Sequence, residues 1–323
     1  MLRGEQSQPI VPVIVGPTAA GKSALALRLA QRCGGEIVSA DSRQVYRYLD
    51  IGTAKPTPEE RALVPHHLID VRFPDEYYSA GEYARDASAR IAEVLGRGHL
   101  PIVVGGSGFY IRALTDGLFG PNIRDPELRE RLRQEARKDG LGRLWRRLCE
   151  VDPQAAERLH PNDAQRIIRA LEVYECTGIP LSEHQRRHRP ETPFSWCFIG
   201  LRWARAELYA RIDRRVDQMM AQGFEEEVRR LEQMGYGPEL NSLQTVGYKE
   251  MFALLHGELQ RDEAVALIKQ HTRNYAKRQL TWFGRDARVQ WIDMTTGTMA
   301  DCEEKAWAIV TRCAEKGNFP LDI

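Results

Sequence analysis

The sequence predicts an α/β protein, a parallel sheet flanked by helices and interrupted by an all-helical insertion, on three observations. Short β-branched runs alternate with amphipathic stretches through the first 121 residues, strands vanish from 122 to 190, and a strand returns at 193–203. The expected organisation follows: 1–121 as the first part of a core, 122–190 as a helical insertion, and 191–323 as the second part with C-terminal helices.

Each element has its own warrant. Residues 10–15, "IVPVIV", form a nearly continuous apolar run, as in a strand buried on both faces of a parallel sheet, with Pro12 marking a start or irregularity. A Gly-rich loop follows, then "SALALRLAQRCGG", a helix closed by Gly34 and Gly35. Short runs at 36–42, 66–71 and 100–108 end in polar or Gly residues, and "SAGEYARDASARIAEVLGRG" is a helix before the last of them. In the insertion, Asp-Pro, Pro-Asn-Asp and Gly punctuate helices. The strand at 193–203 is expected to rejoin the first sheet, and helices to cover 205–234 and 262–283.

Composition narrows the function. Forty-six Lys and Arg against 45 Asp and Glu give a net charge of +1, so a polyanionic partner must be met by local patches. Even the insertion is only mildly basic, with fifteen Lys or Arg against twelve Asp or Glu between 122 and 190. Six scattered cysteines without a C-x-x-C pair suggest neither zinc nor a disulfide scaffold. No apolar run is long enough to span a membrane, and a cytoplasmic monomer is expected.

Three stretches carry chemistry. In "GPTAAGKS" (16–23), Gly16, Gly21, Lys22 and Ser23 fit the phosphate loop G-x-x-x-x-G-K-[ST], between a strand and a helix as that motif requires. Its backbone N–H groups close around phosphate oxygens at a helix N-terminus, Lys22 neutralises the outer phosphate, and Ser23 offers a hydroxyl to Mg²⁺. The motif specifies a polyphosphate, not adenine. In "SADSRQVYR" (39–47), Asp41 lies just past a strand, at the sheet edge where ligands bind, and suits metal binding, proton acceptance or helix capping. In "VVGGSGFY" (103–110), Gly105, Gly106 and Ser107 end on the same edge, where the glycines serve either a tight turn or close approach to a ligand. Arg166 and Arg169 share a helix face, and Lys269, Arg273 and Lys277, with Arg278 beside them, form a stripe interleaved with Tyr275, Trp282 and Phe283. Each reads either as a solvated face or as a contact for a phosphate backbone.

Taken together, these stretches resemble the bacterial tRNA dimethylallyltransferases, or tRNA isopentenyltransferases. "GPTAAGKS", "DSRQVYR", "DIGTAKPT", "HHLID", "VVGGSGFY", "HPNDAQRIIRALEV", "RIDRRVDQM", "SLQTVGYKE" and "YAKRQLTWF" follow one another in the family's order over nearly the whole chain. The resemblance implies a P-loop kinase-like core that binds the diphosphate of dimethylallyl diphosphate where kinases hold ATP, and a transfer of the prenyl group to N6 of adenine 37 of tRNA.

It also implies residue roles. Asp41 is the general base, with Ser107 and Lys22 beside it as catalytic residues; Ser107 stands where the family more often has Thr. Gly16, Pro17, Thr18, Ala19, Ala20, Gly21, Lys22, Ser23 and Arg215 hold the diphosphate, with Mg²⁺ on Ser23, and Ala20 replaces a commoner Ser. Asp41, Ser42, Arg43, Gln44 and Ser107 meet the target nucleotide. Arg129, Gln165, Arg166, Ile167, Ile168 and Arg169, with Lys277 and Arg278, meet the anticodon stem-loop. Adenine N6 is inaccessible inside a stacked loop, so the nucleotide has to be extruded. A small-molecule P-loop kinase with Asp41 as base, a non-catalytic RNA-binding NTPase and an adenylate prenyltransferase are the competing readings of the motifs.

Overall fold

The computed structural model describes residues 8–117, 125–187 and 192–316. Its elements in chain order are β1 (Ile10–Val15), α1 (Lys22–Cys33), β2 (Glu36–Ser39), α2 (Pro58–Leu63), β3 (His66–His67), α3 (Ala80–Gly96), β4 (Pro101–Val104) and α4 (Gly108–Thr115). Five helices follow: α5 (Pro126–Asp139), α6 (Leu141–Val151), α7 (Pro153–Arg158), α8 (Ala164–Thr177) and α9 (Leu181–Arg187). The chain continues with β5 (Ser195–Arg202), α10 (Arg205–Ala221), α11 (Phe224–Gln233), α12 (Tyr248–Leu255), α13 (Arg261–Phe283), β6 (Gln290–Asp293) and α14 (Met299–Lys316).

The six strands form one parallel sheet in the order β3-β2-β4-β1-β5-β6. The strand after the insertion does rejoin the sheet, β5 pairing with β1 from Ile10↔Ser195 to Val15↔Gly200. Pro12 sits within β1, but pairing with β4 begins only at Val13, so its missing N–H falls before that ladder. Burial on both faces explains the continuous apolar runs: Val11, Val13, Ile14 and Val15 are all fully inaccessible. Two elements differ from expectation. β3 has two residues rather than the expected 66–71, because Leu68 and Asp70 adopt positive φ (62° and 57°) and turn the chain out of the sheet. The helix expected over 205–234 is broken in two by Gly223, whose φ of 94° is left-handed. β6 was not anticipated; α14, a C-terminal helix, covers α1, burying Cys302, Ala306 and Val310 with Leu25 and Leu29.

The chain divides into two compact units, residues 1–115 with 192–323, and residues 116–191. The boundaries expected at 121/122 and 190/191 lie outside the described residues. The second unit has its own apolar core of Leu132, Leu144, Leu148, Ile167, Leu171 and neighbours. Asp125, Asp152 and Asp163 cap its helices, each side chain accepting a backbone N–H three residues on.

Candidate active site

Three adjacent strands of the sheet deliver the site. β2, β4 and β1 are neighbours, and the loops leaving their carboxyl ends carry Asp41, Ser107 and the phosphate loop. Backbone bonds join these loops. Ala40 N–H donates to the Val104 carbonyl at 2.7 Å, Gly105 N–H to Ile14 at 3.1 Å and Ser107 N–H to Ala40 at 3.2 Å. The glycines of 105–108 are required by protein neighbours: a Cβ on Gly105 would lie 2.1 Å from the Ala40 carbonyl oxygen, and one on Gly108 2.3 Å from Trp282 Nε1. The ligand-approach reading of Gly105 and Gly106 therefore gives way to packing. At Gly106 the neighbour is the Gln279 amide of α13.

Asp41 combines the capping reading with a free oxygen. Its Oδ1 accepts from the backbone N–H of Arg43 at 2.9 Å and of Gln44 at 3.4 Å, which orients the carboxylate, while Oδ2 has no partner among the described residues. Ser107 supports this turn, its hydroxyl accepting from Ser42 N–H at 2.9 Å and donating to Ser42 Oγ at 3.2 Å. Arg43 and Gln44 lean away from Asp41. Arg43 donates to the carbonyls of Asn241 and Ser242. Gln44, buried, donates to those of Thr53 and Ala54. Gln44, expected at the target nucleotide, thus braces the 50–54 segment.

The phosphate loop is held open by the same kind of bonding. Gly16, Ala19 and Gly21 have φ of 142°, 60° and 96°, and α1 begins at Gly21 with no side-chain cap, leaving its first N–H groups to a ligand. Lys22 Nζ donates to the Pro17 carbonyl at 2.7 Å. Burial, with the Arg215 charge second, lowers its pKa to about 8 against the opposing pull of Asp41. Arg215 is also lowered by burial and raised by Asp41, and its contact is the Thr53 carbonyl at 3.5 Å. Among the described residues no carboxylate pairs with either cation.

Around these groups lie two cavities. One, of about 340 Å³, is lined by residues 19–24 of the phosphate loop with Arg211, Arg214, Arg215 and Gln218 of α10. The other, of about 490 Å³, is lined by Asp41, Ser42, Arg43, Thr18, Gly247, Tyr275 and Arg278 among others. Arg215 lines both.

The family model described as IPP transferase matches residues 44–286. The chain belongs to that family. The tRNA dimethylallyltransferase of Desulfosudis oleivorans is 50% identical over 92% of this chain and 95% of its own. Among solved structures, the tRNA isopentenylpyrophosphate transferase of Bacillus halodurans is 39% identical, with a TM-score of 0.71 over 96% of this chain and 99% of that one. A eukaryotic dimethylallyltransferase acting on tRNA is 28% identical, with a TM-score of 0.81 over 98% of this chain and 81% of that one.

In this IPP transferase the other expected contacts divide sharply. Gln165 and Arg166 are exposed on α8, Arg166 beside Asp163 at 3.4 Å. The side chains of Ile167 and Ile168 are buried in the core of the helical unit. Arg129 and Arg169 close on the buried carboxylate of Glu172, at 2.7 and 2.8 Å. On α13, Lys277 and Arg278 are exposed, but Lys269 and Arg273 pair with Asp217 and Asp213 of α10, so the basic stripe is largely a helix-to-helix seam. Sequence reasoning passed over Arg211 and Arg214, although with Arg215 they recur at helical spacing in "RIDRRVDQM". It also passed over Gln279, which carries no charge to draw notice.

Proposed function

We propose that the chain is a tRNA dimethylallyltransferase, taking the prenyl group from dimethylallyl diphosphate to N6 of adenine 37 beside the anticodon. The carrying observation is Arg215, shared between a phosphate cradle and a second cavity that holds an oriented carboxylate with one free oxygen. Two substrates meeting at one cation suit transfer between them. The diphosphate occupies the cradle, against the α1 N-terminus, Lys22 and Arg215, and the extruded adenine lies in the larger cavity with its amine toward Asp41 Oδ2. As the N6–carbon bond forms and the carbon–oxygen bond to diphosphate breaks, Asp41 takes the N6 proton. Lys22 and Arg215 stabilise the charge that gathers on the departing oxygens.

The donor set fits Mg²⁺. Ser23 offers one hydroxyl at the start of α1, and no group of three or more acidic, His or Cys side chains that could hold a metal ion stands among the described residues. That matches an ion which keeps waters and binds chiefly through substrate phosphates. Bound there, Mg²⁺ supplies further neutralisation of the leaving diphosphate. Among the described residues no helix is long and apolar enough to cross a membrane, and we take the enzyme to act on tRNA in the cytoplasm.

The test is mass spectrometry of nucleosides from tRNA incubated with the protein and dimethylallyl diphosphate. N6-isopentenyladenosine is expected, with none when ATP replaces the donor. Phosphoryl transfer from labelled ATP to an acceptor, without prenylated nucleoside, would overturn the proposal in favour of a kinase.

A further inference from the structure

Gln279 ties the donor side of the site to the acceptor side. It lies on α13, buried to 6% exposure, and both ends of its amide are used. Oε1 accepts from Thr18 N–H of the phosphate loop at 2.8 Å, and Nε2 donates to the Gly106 carbonyl at 3.0 Å. Those two partners belong to loops leaving the adjacent strands β1 and β4. Beyond Gly106 the chain of contacts continues without a gap: Ser107 Oγ holds Ser42 N–H, and the same turn holds Asp41. Beyond Thr18 lie the cradle and Lys22. A single planar amide, with donor and acceptor fixed a bond angle apart, thus sets the spacing between the loop that grips the leaving group and the loop that carries the base.

The site is intolerant of changes at this junction. The Cβ that Gly106 lacks would stand 2.2 Å from Gln279 Nε2, so a side chain at 106 would push the amide out of its present place. Three residues on, Trp282 of the same helix meets Gly108 in the same manner. An apolar side chain at 279 would leave the Thr18 N–H and the Gly106 carbonyl without these partners. Lys277 and Arg278, exposed two residues and one residue earlier, put charges that suit RNA phosphates on the helix that carries the pin.

We infer that Gln279 is a positioning residue for the transfer, fixing the register between the diphosphate cradle and the Asp41 turn; the inference rests on the function proposed above. Its role shows in the fate of the prenyl group. With donor and amine in register, each carbon–oxygen bond broken gives one nitrogen–carbon bond. Out of register, water attacks the same carbon, giving diphosphate, the five-carbon alcohol and a proton, with no prenylated tRNA. Diphosphate released per prenyladenosine formed therefore reports register, whereas an ordinary loss of folded protein lowers both together.

Two variants make the test. Gln279→Glu keeps an oxygen for Thr18 N–H but sets another against the Gly106 carbonyl; Gln279→Met keeps length and offers neither bond. Single-turnover rates at saturating donor and tRNA should fall by about 10- to 100-fold, the loss expected of reacting groups misplaced by about 1 Å. Diphosphate release should exceed prenyl transfer in both variants, with donor and tRNA dissociation constants within about threefold of wild type by the same argument. A ratio that stays at one in both variants, or activity lost only in step with the folded fraction read by thermal melting, would overturn the inference. Absence of prenyl transfer by the wild type in the same assay would instead overturn the proposed function.

Discussion

The phosphate cradle and the helical unit treat positive charge in opposite ways. In the cradle, Lys22 at the start of α1 and Arg215 of α10 are desolvated, and among the described residues their hydrogen-bond acceptors are the carbonyls of Pro17 and Thr53. In the helical unit the arginines are answered by carboxylates: Arg129 and Arg169 by Glu172, Arg131 and Arg147 by Glu175, Arg143 by Glu135 and Asp139. A carbonyl orients a cation and leaves its charge available; a carboxylate neutralises it. In the proposed function, cations of the first kind await an anionic substrate; those of the second kind hold helices together. Burial raises the Glu172 carboxyl, but hydrogen bonds from Arg129, Arg169 and Asp125 N–H prevail and leave it below the usual carboxylate value.

The largest effect should come from the site's own carboxylate. Asp41→Asn retains an oxygen for the N–H groups of Arg43 and Gln44 and so preserves the turn, but it cannot take a proton. Single-turnover transfer should fall by about 10²- to 10⁴-fold, with tRNA affinity within a few-fold, as measured by rapid quench and filter binding. More than a tenth of the wild-type rate would remove Asp41 from the role of base.

Next in size is the counterpart in the helical unit. Glu172→Gln leaves two arginines without their shared counter-charge and should destabilise that unit by about 3 kcal/mol. Hydrogen exchange should locate the loss within residues 126–187, with exchange at α1 and β1 unchanged. The pH dependence has a fixed sign: the folded pKa is depressed, so the stabilisation is present above the unfolded carboxylate value and disappears as pH falls through the folded one. Equal loosening of α1 would show that the two regions are not independent.

A smaller effect sharpens the comparison within one helix. Arg166 is exposed, with only a loose ion pair to Asp163, whereas Arg169 is engaged by Glu172. Arg166→Gln should reduce the magnitude of the slope of log tRNA affinity against log salt by about 0.7 to 0.9, the release expected of one phosphate contact. Arg169→Gln should mainly lower the melting temperature. The reverse pattern would assign Arg169 to RNA and Arg166 to the solvated surface.

What the sequence revealed of this contrast follows from how local each signal is. The phosphate loop is contiguous, so Gly16 to Ser23 were legible as a cradle, and strand runs buried on both faces announced the sheet. Asp41 and Ser107 were legible as strand-end polar residues, but the bond joining the Ser107 hydroxyl to the Asp41 turn spans 65 residues and has no sequence signature. Whether an arginine is free or neutralised depends on a partner such as Glu172, 43 residues from Arg129, which no local pattern specifies. The same limit hid the burial of Ile167 and Ile168, since the segment around them reads equally as a recognition helix and as a packed one. Gln279 was invisible for a different reason: its importance lies in the geometry of two backbone groups it touches, not in its own type.

The claim that the cradle's cations are held without counter-charge for an anionic leaving group is tested most directly by calorimetry. Burial, with the Arg215 charge second, lowers the Lys22 pKa to about 8. A bound diphosphate raises that value, so binding takes up a proton and weakens as pH rises. Titration of dimethylallyl diphosphate in two buffers of different ionisation enthalpy should show proton uptake between pH 7.5 and 9 of up to about one per site, with affinity falling by up to about tenfold per pH unit above about 8. Lys22→Met should remove that component. Proton uptake that is absent in the wild type, or equal in the wild type and Lys22→Met, would contradict the account.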